Sequence, residues 1–220
     1  TSIIDHAFRG TAIQNITIPN SVTHIGFCAF GYCSRLETFE MPNSVTSLDS
    51  EAFRSCNNLT SITLSENIDK IGNNTFIDCK KLKKIVIPDN VKTIGEYAFS
   101  ACSVLENISI PKGVTKIAKG AFEKCWAFTK VEIPIGVTEI ANRAFQYCSA
   151  LKTVTIPGTI TRIDDYAFGS CSKLEKCRIY AETPPTTSSN VFSSVPNTVL
   201  TIEVPEVSLD AYKSLSPYNN

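Results

Sequence analysis

The sequence predicts a solenoid of about eight 23-residue units. Short parallel strands would stack on one another, with short helical turns on the opposite side, giving a mostly β fold with some α. Three observations carry this expectation. A phenylalanine recurs at Phe8, Phe30, Phe53, Phe76, Phe99, Phe122, Phe145 and Phe168, in one step of 22 residues and six of 23. A cysteine follows three residues after each phenylalanine from the second onward, at Cys33, Cys56, Cys79, Cys102, Cys125, Cys148 and Cys171. Later in each unit come apolar pairs separated by one residue, such as Ile62/Leu64, Ile85/Ile87, Ile108/Ile110 and Val154/Ile156. Self-similarity at a fixed period of this length marks a repeat array, because one unit cannot cover its own apolar face and its stacked neighbours must do so.

Each unit begins with the phenylalanine, preceded by Ala everywhere except at Phe76, where Thr75 stands. The Ala-Phe-x-x-Cys stretch reads as a short helical turn, with the small Ala letting adjacent turns approach closely. Six residues after the phenylalanine comes Leu36, Leu59, Leu82, Leu105, Phe128, Leu151 or Leu174. The apolar pairs then lie on one face of a short strand, since side chains two residues apart in a strand point the same way. Pro19, Pro42, Pro88, Pro111, Pro134 and Pro157 end these strands; proline lacks the N–H that a ladder needs. A second short strand is expected at Val91-Lys-Thr-Ile94 and Val137-Thr-Glu-Ile140, followed by a turn at Gly26, Asp49, Gly72 or Gly95.

Residues 181–220 break the period and read as a C-terminal capping segment beside a repeat domain of residues 1–180. AETPPTTSSN is a turn-rich connector, LTIEVP (Leu200 to Pro205) a last strand, and SLDAYKSL (Ser208 to Leu215) a short helix with Ser208 as N-cap.

Nine cysteines raise three possibilities: disulfides, a metal site or buried thiols. Structural zinc needs clustered ligands, and here each turn contributes one ladder thiol while only His6 and His24 are present, so no metal is expected. Neighbouring ladder thiols should point in parallel into the core, which is poor disulfide geometry, so a reduced structural ladder is expected. Cys177 occupies an apolar strand slot. Cys28 lies off the ladder and is the thiol expected to reach the surface.

Lys plus Arg equals Asp plus Glu at 21 each, so no basic surplus exists to neutralise a phosphate backbone and nucleic-acid binding is not expected. The longest apolar runs fall far short of the roughly 20 residues that span a bilayer, so no membrane insertion is expected within this segment. The chain starts without Met and reads as a processed or excised piece, with any export signal or anchor outside it. No catalytic constellation, phosphate loop or cofactor motif appears. His24 shares its slot with Ser47, Lys70, Thr93, Lys116, Glu139 and Arg162, a solvated column.

A candidate interaction surface remains. Outward positions of the main strands form two polar columns, containing Thr38, Ser61, Lys84, Asn107, Lys130 and Thr153, and Glu40, Thr63, Val86, Ser109, Glu132 and Thr155. Trp126, the single Trp, stands where other units carry Ser, Asn or Lys, so it is expected at least partly exposed. With Tyr147 and Tyr166 it makes an aromatic patch for a protein or glycan, or else it simply packs over Phe128.

The pattern AFxxCxxLxxIxIPxxVTxI, as in AFSACSVLENISIPKGVTKI from Ala98 to Ile117, resembles the BspA-type leucine-rich repeat over about residues 3–180. The chain departs from it at Ser65 in place of Pro, at Phe128 in place of Leu, and in a first unit that is one residue short and lacks Cys. The resemblance implies a non-enzymatic cell-surface or secreted protein, monomeric, that adheres to an unidentified protein or glycan on host or microbial surfaces. The competing expectation is a structural spacer that displays another domain.

Overall fold

The computed structural model describes residues 1–196 and 199–218. The chain winds into a β-solenoid of about nine turns with very little helix. One column of strands comprises Ser2–Ile3, His24–Ile25, Ser47–Leu48, Lys70–Ile71, Thr93–Ile94, Lys116–Ile117, Glu139–Ile140, Arg162–Ile163 and Thr186–Thr187. The other comprises Thr38–Glu40, Ser61–Thr63, Lys84–Ile85, Lys130–Glu132, Thr153–Ile156, Lys176–Ile179 and Thr201–Glu203. Every pairing is parallel and joins equivalent slots of successive turns, as in Thr38↔Ser61↔Lys84 and Glu139↔Arg162. Because each slot meets its own copy, one alternating pattern suffices for the whole array: the middle residue of Thr38–Glu40, Ser61–Thr63 and Lys130–Glu132 is buried and its neighbours face out.

The expected helical turns do not form. The Ala-Phe stretch is a run of tight turns whose backbone bonds forward to the next turn of the solenoid: Cys28, Phe30 and Tyr32 N–H donate to the Ser50, Ala52 and Arg54 carbonyls at 3.2, 2.8 and 2.6 Å. Two left-handed residues per turn make this possible, at Cys28 (φ 52) and Tyr32 (φ 62), then Glu51 and Ser55, then Asn74 and Asp78. The reason is space. Successive phenylalanine rings lie 5.1 to 5.9 Å apart, whereas a helix with side chains is about 10 Å wide. At this spacing, hydrogen bonds between turns replace those within a helix.

Those rings form a stack through the core from Phe8 to Phe168, and it continues to Phe192, whose ring is 5.9 Å from that of Phe168. The count of eight turns is therefore corrected to about nine. Val191 takes the Ala slot and Val195 the Cys slot, both buried, so the ninth turn carries the same core with altered letters. The helix Leu209–Lys213 then closes the end, with Tyr212 burying its ring and donating its hydroxyl to the Ala181 carbonyl at 2.8 Å. Ser208 is not a side-chain N-cap. A 3₁₀ turn over Glu206–Ser208 runs straight into the helix and leaves Ser208 buried.

All nine cysteines are free and buried. On the ladder each thiol donates to the phenylalanine carbonyl of the preceding turn, as from Cys56 to Phe30 at 3.1 Å and Cys102 to Phe76 at 3.2 Å. A weak donor small enough for a close-packed core suits that position. In the first turn Thr11 takes the slot and bonds the Phe8 carbonyl at 2.8 Å. Cys28 is not the exposed thiol: only 2% of it is accessible. Its left-handed backbone turns the side chain under Gly31, where an added Cβ would lie 2.3 Å from the sulfur. Ser65 compensates for the missing proline by donating to the Val45 carbonyl at 2.6 Å and accepting the Asn67 N–H at 3.1 Å.

Candidate interaction surface

The outward columns of the main strands are solvent-facing, with Thr38, Glu40, Ser61, Thr63, Lys84, Val86, Asn107, Ser109, Lys130 and Glu132 exposed and Thr153 and Thr155 half-buried. They do not form one uniform face. The residues Asn107–Ile110, expected as a strand, join no ladder, so the column splits into a three-stranded sheet before them and a four-stranded sheet after. Asn107 is a poor strand residue, and Ile108 is only partly buried.

A groove of about 1320 Å³ opens at this break. Asn107, Ser109, Lys130, Glu132 and Thr155 line it, so five of the thirteen predicted surface residues come together there. Its other walls include the strand-ending Pro111 and Pro157 and, outside the two predicted columns, Ile135 and Tyr180. Ile135 is 80% exposed and Tyr180 58%, large apolar side chains held in water at the rim. A signal for them exists in the repeat: Ile135 follows Pro134 in a slot where other turns carry Asn43, Asp89 or Lys112. Lys130 and Glu132 form an ion pair across the floor. A second hollow of about 720 Å³ lies at the other end of the face and takes in Thr38, Glu40 and Thr63 beside Met41 and Pro42. Ser61 and Lys84 sit in register between the two.

Trp126 belongs to a different corner of the solenoid, just past the ladder cysteine, and is 52% exposed. Phe128 lies inside the core with its ring 5.8 Å from that of Phe122.

The titratable groups have other work. His24 Nε2 meets the Asp49 carboxylate at 2.8 Å on the second strand column. Burial pushes the thiols up, ladder Cys171 to about 12 and the strand residue Cys177 likewise, so they stay protonated at neutral pH. Among the described residues no group of three or more His, Cys, Asp or Glu is placed to hold a metal ion. Among the described residues no helix is long and apolar enough to cross a membrane.

The fold resembles several solved structures. A leucine-rich repeat protein from Bacteroides ovatus is 21% identical, with a TM-score of 0.60, over 84% of this chain and 65% of that one. A leucine rich cell surface protein from Faecalibacterium prausnitzii is 24% identical, with a TM-score of 0.58, over 96% and 59%. A leucine rich repeat protein of T. pallidum is 27% identical, with a TM-score of 0.61, over 79% and 71%. The chain thus spans less than two thirds of the length of the first two. No curated protein matches it. The sequence profile of the BspA type leucine rich repeat region matches residues 1–125 and 70–199, and with its stacked phenylalanine and cysteine slots the chain belongs to the BspA-type leucine-rich repeat family.

Proposed function

We propose that this chain is a non-enzymatic interaction module of a cell-surface or secreted protein, adhering as a monomer to a protein on a host or microbial surface. One observation carries the reading: the groove at the break in the main strand column, where Ile135 and Tyr180 stand exposed beside a floor of polar side chains. Large apolar and aromatic side chains at the edge of a concave site are the usual anchors of protein recognition, and repeat solenoids offer extended faces for it. The cell-surface description of the F. prausnitzii relative is consistent with such a place of action.

The test is binding of the purified chain to immobilised matrix proteins and to host cells, beside an Ile135→Ser/Tyr180→Ser variant. Saturable binding that weakens about tenfold in the variant is the expected result. Silence of both forms, with the folded state verified by circular dichroism, overturns the adhesion reading and leaves the spacer.

A further inference from the structure

The second feature that sets one part of this solenoid apart is a run of charge. In each turn four outward residues flank the buried Leu that follows the ladder cysteine. In most turns they are mixed: Ser34, Arg35, Glu37 and Thr38 in one, Asn57, Asn58, Thr60 and Ser61 in the next, Ser103, Val104, Glu106 and Asn107 in another. In one turn alone all four are cations: Lys80, Lys81, Lys83 and Lys84, every one exposed around buried Leu82. Lys83 is paired with Glu106 at 3.2 Å. Lys80, Lys81 and Lys84 form no ion pair among the described residues. Asp78 is a nearby acid on the same turn, half-buried at a left-handed position. The overall charge of the chain is zero, so this concentration is local.

Trp126 occupies the Lys80 slot two turns further on. The turn between supplies Ser103, whose hydroxyl donates to the Lys80 carbonyl at 3.1 Å and so keeps the column in register. Ring spacings of 5.3 and 5.6 Å per turn set the two steps from Lys80 to Trp126. A half-exposed indole and the unpaired ammonium groups of Lys80 and Lys81 therefore stand along one corner, with Lys84 on the adjoining strand of the same turn as Lys80, a spread that one short linear ligand can follow.

We propose that this corner binds an acidic polysaccharide, the sugar's C–H face stacking on Trp126 and its sulfate or carboxylate groups meeting Lys80, Lys81 and Lys84. The assignment rests on the surface-module reading and names a partner class for a site apart from the groove. An ammonium group is a compact, strongly hydrated point charge, suited to exposed anions spaced along a flexible chain. A nucleic acid fits less well, since single strands are held by several aromatics under successive bases and by a basic surplus.

The experiment measures binding of the full chain to heparin oligosaccharides, to hyaluronan, to neutral dextran and to single-stranded DNA, over a salt series. Run alongside are Lys80→Ala/Lys81→Ala/Lys84→Ala, Trp126→Ala, and Lys70→Ala/Lys92→Ala/Lys119→Ala, which removes the same charge elsewhere. Heparin or hyaluronan binding that falls about tenfold or more in each of the first two variants, and survives in the third, is the expected result. Preference for heparin identifies sulfate, and equal binding of hyaluronan identifies carboxylate. Equal loss in the third variant, insensitivity to Trp126→Ala, binding of DNA as tight as of the sugars, or silence towards all four probes overturns the proposal. Binding to matrix proteins through Ile135 and Tyr180 that persists while the sugar arms fail removes this site and leaves the module reading intact.

Discussion

The first and last turns described are built from the same repeat and are packed differently. At the first turn Ile3, Phe8, Ile13 and Ile16 are only partly buried, Ile4 is 70% exposed, and the Phe8 ring has a partner on one face, Phe30. At the last turn Phe192 and Val195 are buried, and Tyr212 and Tyr218 pack edge to face at 5.0 Å across the end. The difference teaches that in a solenoid an apolar slot acquires its full stabilisation only when copies lie on both sides. Identical letters are worth different amounts at different positions.

The sharpest break of that comparison is Phe99→Ala against Phe8→Ala, read as the shift in denaturation midpoint. Phe99 has rings on both sides, and its removal should cost about 3 to 5 kcal/mol; Phe8→Ala should cost less than half of that. Equal losses would show that the first turn is as tightly held as the middle.

At the closed end, Tyr212→Phe removes the hydroxyl that satisfies the buried Ala181 carbonyl, with an expected cost of about 1 to 2 kcal/mol. A larger effect from Tyr212→Ala and a negligible one from Tyr212→Phe would mean that the ring alone closes the core.

The thiols sharpen the contrast further. Burial raises Cys171 and Cys177 from their ordinary value of 9.0 to about 12. Below 9 both folded and unfolded thiols are protonated, so the stability they contribute is fully present. As pH climbs from 9 towards 12, the unfolded chain releases protons that the folded chain retains, and stability falls. Urea midpoints should therefore drop steeply over that window, and less steeply in Cys171→Val. Alkylation of the native protein at pH 8 should begin with Cys28, the one cysteine that keeps any accessible surface, and reach the ladder thiols only later. Uniform labelling of all nine would contradict the ladder's protection.

The smallest effect is expected at Trp126→Ala, which should change stability by no more than about 0.5 kcal/mol because the side chain is half in water. A loss of several kcal/mol would place the indole in the core and remove it from any binding role.

Much of this was legible from the letters. The slots of Phe, Cys, Leu and Ile follow the stacked core because each meets only its own copy one turn away, so spacing along the chain translates directly into register. The surface was legible as columns and not as sites. Thr38 and Lys130 look equivalent in sequence, yet one lies by a smaller hollow that includes Met41 and Pro42 and the other lines the groove beside Ile135. The ninth turn is hidden in the sequence because Val191 and Val195 replace Ala and Cys, while the packing needs only compact apolar side chains there.

The period, the parallel stacking and the residues that fill the core follow from the spacing of the letters alone. The tertiary structure alone decided three things. The 5 to 6 Å spacing of the rings turned expected helical turns into a ladder of left-handed bends. The same bends carried Cys28 inward under Gly31. The failure of Asn107–Ile110 to pair opened the groove. The first two depend on the distance between turns, and that distance is set by all the slots packing together rather than by the residues of any one turn; the third shows only when the strands of neighbouring turns are seen to pair on either side of it.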